Sequence, residues 1–125
     1  MILGIGTDIV EIARFENLNA PSEAFAKRIL TEEELLEYQA SNKPLHYLAK
    51  KFAVKEAVVK ATGTGIGNGV SWQHMTIKHE DSGKPYVELS GALAEWAEEN
   101  SLKHMHISIS DELHYACAMA IAESN

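Results

Sequence analysis

The chain has 125 residues, with 11 lysines and arginines against 18 aspartates and glutamates, and a formal net charge of −7. This acidic balance disfavours nucleic-acid binding, which depends on neutralising phosphates. The single cysteine, Cys117, excludes an internal disulfide and a cysteine zinc site. No apolar run approaches the ~20 residues that span a bilayer. We therefore expect one soluble, cytoplasmic domain over residues 1–125, long enough for a hydrophobic core.

The first half of the chain is predicted to hold one strand and four helices. Thr31 followed by Glu34 is the pattern of a capping box. Pro44 suits the first turn of a long helix, and Gly63 suits its end. The predicted elements are a strand over 2–10, short helices over 11–18 and from 21–23 onward, a capped helix from 31 to about 40, and a long helix from 44 to about 62.

The second half is predicted to be mainly β. Strands are expected over 72–80, 86–89, 103–110 and 115–122, with a turn over 81–85 and a helix over 92–99 capped by Ser90. One face of the last strand and one face of the long helix carry small residues, which are Ala116, Ala118, Ala120 and Ala122 on the strand and Ala49, Ala53, Ala57 and Ala61 on the helix. We expect these faces to pack together in an α+β fold, with a mostly antiparallel sheet covered by the long helix.

Asp8 is the first candidate functional residue. It follows Gly4-Ile-Gly6, but a dinucleotide-binding fingerprint needs a third glycine and a helix directly after it, and both are missing. Asp8 is therefore either the N-cap of the helix predicted from Glu11 or an acid placed at a strand end for chemistry.

The long helix carries the second group of candidates. Glu56 and Lys60 are four residues apart and share one helix face with Phe52. One interpretation is an ordinary solvated ion pair. The other is a site for a metal-bound polyphosphate, because a carboxylate can hold magnesium while the neighbouring Lys51 and Lys55 balance phosphate charge.

Three further features favour structural interpretations. The glycine-rich loop 63–69 follows a helix rather than preceding one, so it is not a P-loop, although a ligand can approach its backbone closely. His104 and His106 share a strand face without an identifiable third ligand, which favours outer-face histidines over a zinc site. Cys117 lies among alternating apolar residues and is expected to be buried.

Four segments, taken in chain order, resemble the holo-acyl-carrier-protein synthase family, the short trimeric branch of the 4'-phosphopantetheinyl transferases. Each motif is weak alone, but the ordered set is specific and covers nearly the whole chain. The segments are Gly4-Ile-Gly-Thr-Asp8-Ile-Val-Glu-Ile-Ala-Arg14, then Phe52-Ala-Val-Lys-Glu56-Ala-Val-Val-Lys60-Ala-Thr-Gly63-Thr-Gly65-Ile-Gly67, then Gly83-Lys84-Pro85, and finally Ser108-Ile-Ser-Asp111 with Tyr115-Ala-Cys-Ala.

The resemblance implies a fold with an antiparallel sheet and a homotrimer whose active sites lie at subunit boundaries. It implies that Asp8 and Glu56 hold Mg²⁺, which also binds the pyrophosphate of coenzyme A, and that Lys60 meets the phosphates. Lys51 and Lys43 would stand near the 3'-phosphate. The full set of implied coenzyme A-binding residues is Lys43, Lys51, Lys60, Gly63, Gly65, Gly83, Lys84 and Pro85.

The implied reaction is transfer of 4'-phosphopantetheine from coenzyme A to a serine of apo-acyl carrier protein, which releases adenosine 3',5'-bisphosphate and serves fatty acid biosynthesis. Glu56, directly or through a metal-bound water, is the candidate base for the serine proton. Arg14, Lys27 and Arg28 are the candidate docking cations for the acidic carrier.

Two departures from the family pattern bear on these roles. Many members carry His where this chain has Asp111, and some carry Arg at the positions of Pro21 and Ala24. Two alternative functions stay open. One is a metal-dependent nucleotide hydrolase that uses the same carboxylates, and the other is a non-catalytic trimeric module that binds an acidic carrier.

Overall fold

The computed structural model describes residues 1–19 and 23–125. The predicted opening of the second helix at residues 21–22 lies outside these ranges. No helix within them is both long and apolar enough to cross a membrane. The elements, in chain order, are β1 (Ile2–Glu11), α1 (Arg14–Asn19), α2 (Ala24–Ile29), α3 (Glu32–Ala40), α4 (Pro44–Thr62), a 3₁₀ turn (Trp72–His74), β2 (Met75–His79), β3 (Pro85–Leu89), α5 (Gly91–Glu99), β4 (Leu102–Asp111) and β5 (Tyr115–Ser124).

The strands form two antiparallel sheets. One has the order β1-β5-β4 and the other is the pair β2-β3. The central strand β5 pairs with β1 so that Ala118 lies opposite Asp8, and with β4 so that Ala120 lies opposite Ile107. The predicted α+β fold with a mostly antiparallel sheet is therefore the fold that forms.

Helix α4 covers the alanine face of β5, as predicted. Methyl side chains add little depth between helix and sheet, so the two backbones approach closely. Six of the buried alanines in this contact belong to one hydrophobic core cluster, namely Ala53, Ala57, Ala61, Ala118, Ala120 and Ala122. The other two, Ala49 and Ala116, belong to the neighbouring cluster.

Glycines on β1 extend the same close contact. A Cβ atom added to Gly4 would meet the carbonyl oxygen of Ala61, and one added to Gly6 would meet the carbonyl oxygen of Ala57. The Gly4-Ile-Gly6 sequence that fails as a dinucleotide fingerprint thus lets β1 lie against the backbone of α4.

A second core joins α1 and α2 to α4 through aromatic rings. The ring centroid of Phe52 lies 5.5 Å from that of Phe15, 5.8 Å from that of Phe25 and 5.2 Å from that of Trp72. Such edge and tilted contacts are favourable arrangements of aromatic pairs. Phe52 therefore fixes α1 and α2 beside the turn of α4 that precedes Glu56.

The prediction that Lys55 balances phosphate charge together with Lys51 is wrong. The Lys55 side chain is fully buried and its ammonium nitrogen lies 2.6 Å from Oε1 of the equally buried Glu34. Burial lowers the pKa of Lys55, and the Glu34 carboxylate opposes that shift. Glu34 also completes the predicted capping box with Thr31, so one side chain both caps α3 and pairs with α4.

Several predicted boundaries differ from the structure. Strand β1 continues to Glu11, which pairs with Tyr115, and α1 therefore begins only at Arg14. Residues Trp72–His74 form a 3₁₀ turn rather than strand, because Ser71 Oγ accepts a hydrogen bond from the Gln73 amide at 3.1 Å. Ser90 precedes α5 without making a side-chain cap.

Cys117 is exposed, which contradicts the prediction that it is buried. It points away from α4 because successive residues of a strand face opposite sides, and its neighbours Ala116 and Ala118 face the helix. The large apolar residues Ile5, Ile9 and Met119 share its side of the sheet and are exposed as well. We call Ile5, Ile9, Cys117 and Met119 the outer sheet face.

The close contact of β1 with α4 predicts the effect of a single methyl group. Gly6→Ala should lower the free energy of unfolding by about 1–3 kcal/mol, as overpacking of a close contact usually does. Urea unfolding followed by circular dichroism measures this change. Gln39→Ala, at an exposed position on α3, should stay within about 0.5 kcal/mol. Equal midpoints for the two variants would contradict the packing argument.

Candidate active site

Asp8, Glu56 and Lys60 meet where β1 runs along α4. Asp8 belongs to β1, and Glu56 and Lys60 stand one helical turn apart on α4. Lys60 Nζ donates hydrogen bonds to Asp8 Oδ1 at 3.2 Å and to the carbonyl oxygen of Thr7 at 2.9 Å. The ion pair of Lys60 therefore joins the helix to the strand, instead of joining Glu56 along the helix surface.

Asp8 does not cap a helix. It lies inside β1, opposite Ala118 of β5, and α1 begins six residues later at Arg14. The N-cap interpretation of Asp8 is wrong for this reason. The strand instead holds the carboxylate at a fixed position against the side of α4.

The two carboxylates influence one another. Burial raises the pKa of Glu56, the negative charge of Asp8 raises it further, and the ammonium of Lys60 partly offsets both effects. Asp8 Oδ2 is buried and has no hydrogen-bond partner among the described residues. An unpartnered buried carboxylate oxygen is costly, so this atom indicates a position for a ligand.

This donor set fits magnesium better than zinc. Magnesium is commonly held by one or two carboxylates together with substrate phosphates and water. Residues 1–19 and 23–125 contain no cluster of three or more His, Cys, Asp or Glu side chains arranged to hold an ion. His104 and His106 are exposed on β4, and His106 Nε2 lies 2.9 Å from Glu123 Oε1.

Two depressions flank Lys60. The larger has a volume of about 600 Å³ and includes Asp8, Lys60, Ser108, Ser110 and Cys117 in its wall. The smaller has a volume of about 270 Å³ and is lined by Glu56, Val59, Lys60, Gly63, Gly65 and Ile66. Lys60, which pairs with Asp8, therefore borders both openings.

A third cleft, of about 250 Å³, lies between α4, the β2–β3 turn and the end of β4. Its wall contains the predicted residues Lys51, Gly83 and Pro85. The ammonium of Lys51 lies 4.7 Å from the ring centroid of Tyr47, a cation–π distance. The predicted Lys43 and Lys84 are exposed and do not form part of this wall.

Asp111 stands in the same cleft, and the structure gives it partners that no sequence pattern indicated. Its Oδ2 lies 3.1 Å from His46 Nδ1, and its Oδ1 lies 3.9 Å from Lys50 Nζ. Tyr47 donates a hydrogen bond of 2.6 Å to Glu37 Oε1 across the cleft wall. The cleft therefore mixes two lysines with two carboxylates.

The predicted docking cations lie on α1 and α2. Arg14, Lys27 and Arg28 are exposed, and within residues 1–19 and 23–125 none of them forms an ion pair. Arg14 borders an apolar hollow of about 420 Å³ whose wall also includes Val10, Phe15, Asn17, Phe25 and Phe52. Phe52 precedes Glu56 by one turn of α4, so this hollow lies beside the carboxylates.

The comparison with known proteins identifies the family to which this fold belongs. The family description of the 4'-phosphopantetheinyl transferase superfamily matches residues 4–120. The chain belongs to this superfamily. Its sequence is 52% identical over 124 residues to a holo-[acyl-carrier-protein] synthase of Vibrio cholerae, a match that covers 98% of each chain.

Solved structures of transferases of this kind resemble the chain over its full length. The holo-[acyl-carrier-protein] synthase of Neisseria meningitidis has a TM-score of 0.93 at 48% identity, with 99% of this chain and 100% of that chain covered. A Bacillus anthracis synthase in complex with CoA (3',5'-ADP) has a TM-score of 0.83 at 35% identity, with 100% and 99% covered. The resemblance seen in the sequence and the fold class are both confirmed.

Some residues around the third cleft of this transferase were not among the site residues predicted from the sequence. Glu37, His46, Tyr47 and Lys50 line or border the third cleft, and no motif distinguishes them from ordinary polar helix residues. Glu34 did carry a signal, because it formed half of the capping box. Its ion pair with Lys55 could not be deduced from that pattern, since the two residues are 21 positions apart.

Proposed function

We propose that this chain transfers 4'-phosphopantetheine from coenzyme A to a serine hydroxyl of apo-acyl carrier protein, in the cytoplasm and in the service of fatty acid biosynthesis. The observation that carries the proposal is the buried Asp8 Oδ2 beside Glu56, an atom without a hydrogen-bond partner among the described residues, in a chain that matches holo-[acyl-carrier-protein] synthases over 98% of its length. The Bacillus anthracis relative in complex with CoA (3',5'-ADP) supports coenzyme A as the donor.

Asp8 and Glu56 would hold Mg²⁺ in this proposal. The ion would supply positive charge that neutralises the phosphates of the donor. Lys60 adds a positive charge at the same point, because its hydrogen bonds to Asp8 and Thr7 place the ammonium at the edge of the two depressions. Gly63 and Gly65 line the smaller depression and let a phosphate approach the backbone.

The reaction needs one bond to form and one to break. The serine oxygen attacks the β-phosphorus of coenzyme A, the bond from that phosphorus to the bridging oxygen breaks, and adenosine 3',5'-bisphosphate leaves. The hydroxyl proton passes to the Glu56 carboxylate. A carboxylate beside the reacting phosphate is the kind of group that can accept this proton.

The third cleft is the proposed site for the nucleotide end of coenzyme A. Lys51 supplies positive charge inside it, and Gly83 and Pro85 supply the opposite wall. Lys43 and Lys84 are exposed on the adjoining segments and would meet the 3'-phosphate from outside the wall. Asp111 would orient His46 and Lys50 where many relatives use a histidine.

The proposed assembly is a homotrimer that buries the outer sheet face. Ile5, Ile9 and Met119 expose 66%, 67% and 47% of their surface on neighbouring strands. A contiguous apolar patch of this kind is a common interface between copies of one chain. The larger depression opens beside this patch, so an adjacent subunit would complete its wall.

A direct assay tests the proposed reaction and its carboxylates. The chain incubated with coenzyme A, Mg²⁺ and apo-acyl carrier protein should increase the carrier mass by one phosphopantetheine, measured by mass spectrometry. Asp8→Asn and Glu56→Gln should each lower kcat about 10²-fold or more, because each removes a charge from the reacting centre. Glu99→Gln, on exposed helix far from the site, should retain wild-type kcat.

Other products would point to the alternatives. Free phosphopantetheine or phosphate without carrier modification would indicate a hydrolase. A complete lack of turnover by a folded protein would indicate a binding module. Near-normal transfer by Asp8→Asn or Glu56→Gln would refute the assigned site.

Carrier docking is predicted to be electrostatic and local. This acidic chain and the acidic carrier repel each other at long range, so binding needs cations at the contact, where an arginine can bind a carboxylate through two hydrogen bonds. Arg14→Glu should raise KM for the carrier far more than KM for coenzyme A, and rising salt should weaken docking, since exposed charges are screened over about 10 Å at 0.1 M. Lys103→Glu, an equal charge change on β4, is the control. The same KM change for both substrates would place docking elsewhere.

The trimer predicts a mass of three chains in multi-angle light scattering at micromolar concentration. Ile5→Asp should dissociate the assembly, because it places a charge in the apolar outer sheet face. Leu36→Asp makes the same change at an exposed leucine on α3 and should leave the mass unchanged. A monomeric wild-type chain would rule the assembly out.

A further inference from the structure

The buried ion pair of Glu34 and Lys55 has a fully connected set of hydrogen bonds. Lys55 Nζ donates to Glu34 Oε1 at 2.6 Å, to the carbonyl oxygen of Ile29 at 2.7 Å and to that of Trp72 at 3.3 Å. An ammonium has three protons, and each has an acceptor here. The Lys55 side chain is therefore held in one position.

The carboxylate of Glu34 is equally constrained. Its Oε1 also accepts from the Thr31 amide at 3.0 Å, and its Oε2 accepts from the Ile77 amide at 2.8 Å. The acceptors and donors around the pair come from the end of α2, the start of α3, the 3₁₀ turn and β2. One buried ion pair thus connects α4 to α2, α3, the 3₁₀ turn and β2.

Stability alone does not account for such a pair. Removing two charges from water costs free energy that their attraction often fails to recover, and well-packed apolar residues of similar size are frequently as stable or more stable. The pair does fix the orientation of the Lys55 side chain, because hydrogen bonds have preferred angles and apolar contacts do not.

A contact that fixes the rotation of α4 about its axis matters because the face of α4 that packs on the three-stranded sheet carries mainly small side chains. Against β1 and β5 the helix presents Ala57 and Ala61, and Gly4 and Gly6 face them from β1. Small side chains set the distance between helix and sheet but give little resistance to rotation of the helix about its axis, and the contact of Lys60 with Asp8 on this side is partly exposed. The ion pair lies on the remaining side, where it can oppose that rotation.

Lys55 and Glu56 are consecutive residues of α4, so their side chains project about 100° apart around the helix axis. A fixed direction for Lys55 therefore fixes the direction of Glu56. We propose that Glu34 and Lys55 are positioning residues that aim the Glu56 carboxylate at Asp8. This inference rests on the proposed role of Glu56, and it adds two residues that touch neither substrate nor metal.

The test is a variant that keeps the volume of the pair and removes its charges. In Glu34→Gln/Lys55→Met, the introduced amide oxygen can accept from the Ile77 amide, and the amide nitrogen can donate to a carbonyl that Lys55 leaves free. We expect a urea midpoint close to wild type and a kcat lower by roughly tenfold to a hundredfold, the loss that misplacing a reacting group by up to about 1 Å causes. KM for the carrier should not change, and the Mg²⁺ concentration for half activation should rise.

Val54→Ala is the matched control, since Val54 is a fully buried neighbour on α4 outside the network. Its urea midpoint should fall while kcat stays within about twofold of wild type. If the double variant fails to fold, Lys55→Met alone takes its place, since the Glu34 carboxyl keeps the Thr31 and Ile77 amides as donors, and the same separation of kcat from KM is expected.

Three results would overturn the inference. The first is wild-type kcat in the charge-free variant, which would leave the proposed function intact. The second is a loss of kcat that follows the loss of stability equally in that variant and in Val54→Ala, which would make the pair purely structural. The third is absence of transfer by the wild-type chain, which would reject the proposed function and the positioning role with it.

Discussion

The close approach of α4 to the sheet is the constraint on which the rest of the structure depends. Glycines on β1 and alanines on β5 leave room for the helix backbone, and the helix contributes alanines of its own. This contact brings Asp8, from the strand, to the same point as Glu56 and Lys60, from the helix. A larger side chain at Gly6 would move the helix away and separate the two carboxylates, so the small residues shape the site without touching a substrate.

Charge is distributed unevenly in this acidic chain. For binding an anionic group, the positions of the cations matter more than the net charge. Lys60 pairs with Asp8 one helical turn from Glu56, and Lys51 lies within the third cleft above Tyr47. Arg14 borders the hollow beside the carboxylates. Cations placed within contact distance of phosphate or carboxylate groups outweigh a net charge of −7, because that net charge acts mainly over distances that salt screens.

Two ion pairs on α4 differ in what they can do. The pair of Lys60 with Asp8 is partly exposed, so water competes with it and the Lys60 side chain can change partners. The pair of Lys55 with Glu34 excludes water and satisfies every ammonium proton. The same residue type therefore serves a mobile role at the surface and a fixed role in the interior, and burial decides which role each lysine has.

The sequence by itself determined most of the element types, the alanine contact between α4 and β5, the capping box at Thr31 and the family, because these depend on local patterns and ordered motifs. It could not determine that Lys55 is buried or that Cys117 is exposed, since a helix or strand pattern does not say which element packs against each face. Only the tertiary structure decided that Lys55 meets Glu34, that Lys60 pairs with Asp8 and that Asp111 meets His46. Each of these contacts joins residues far apart in the chain, and their positions follow from how the helices pack on the sheets.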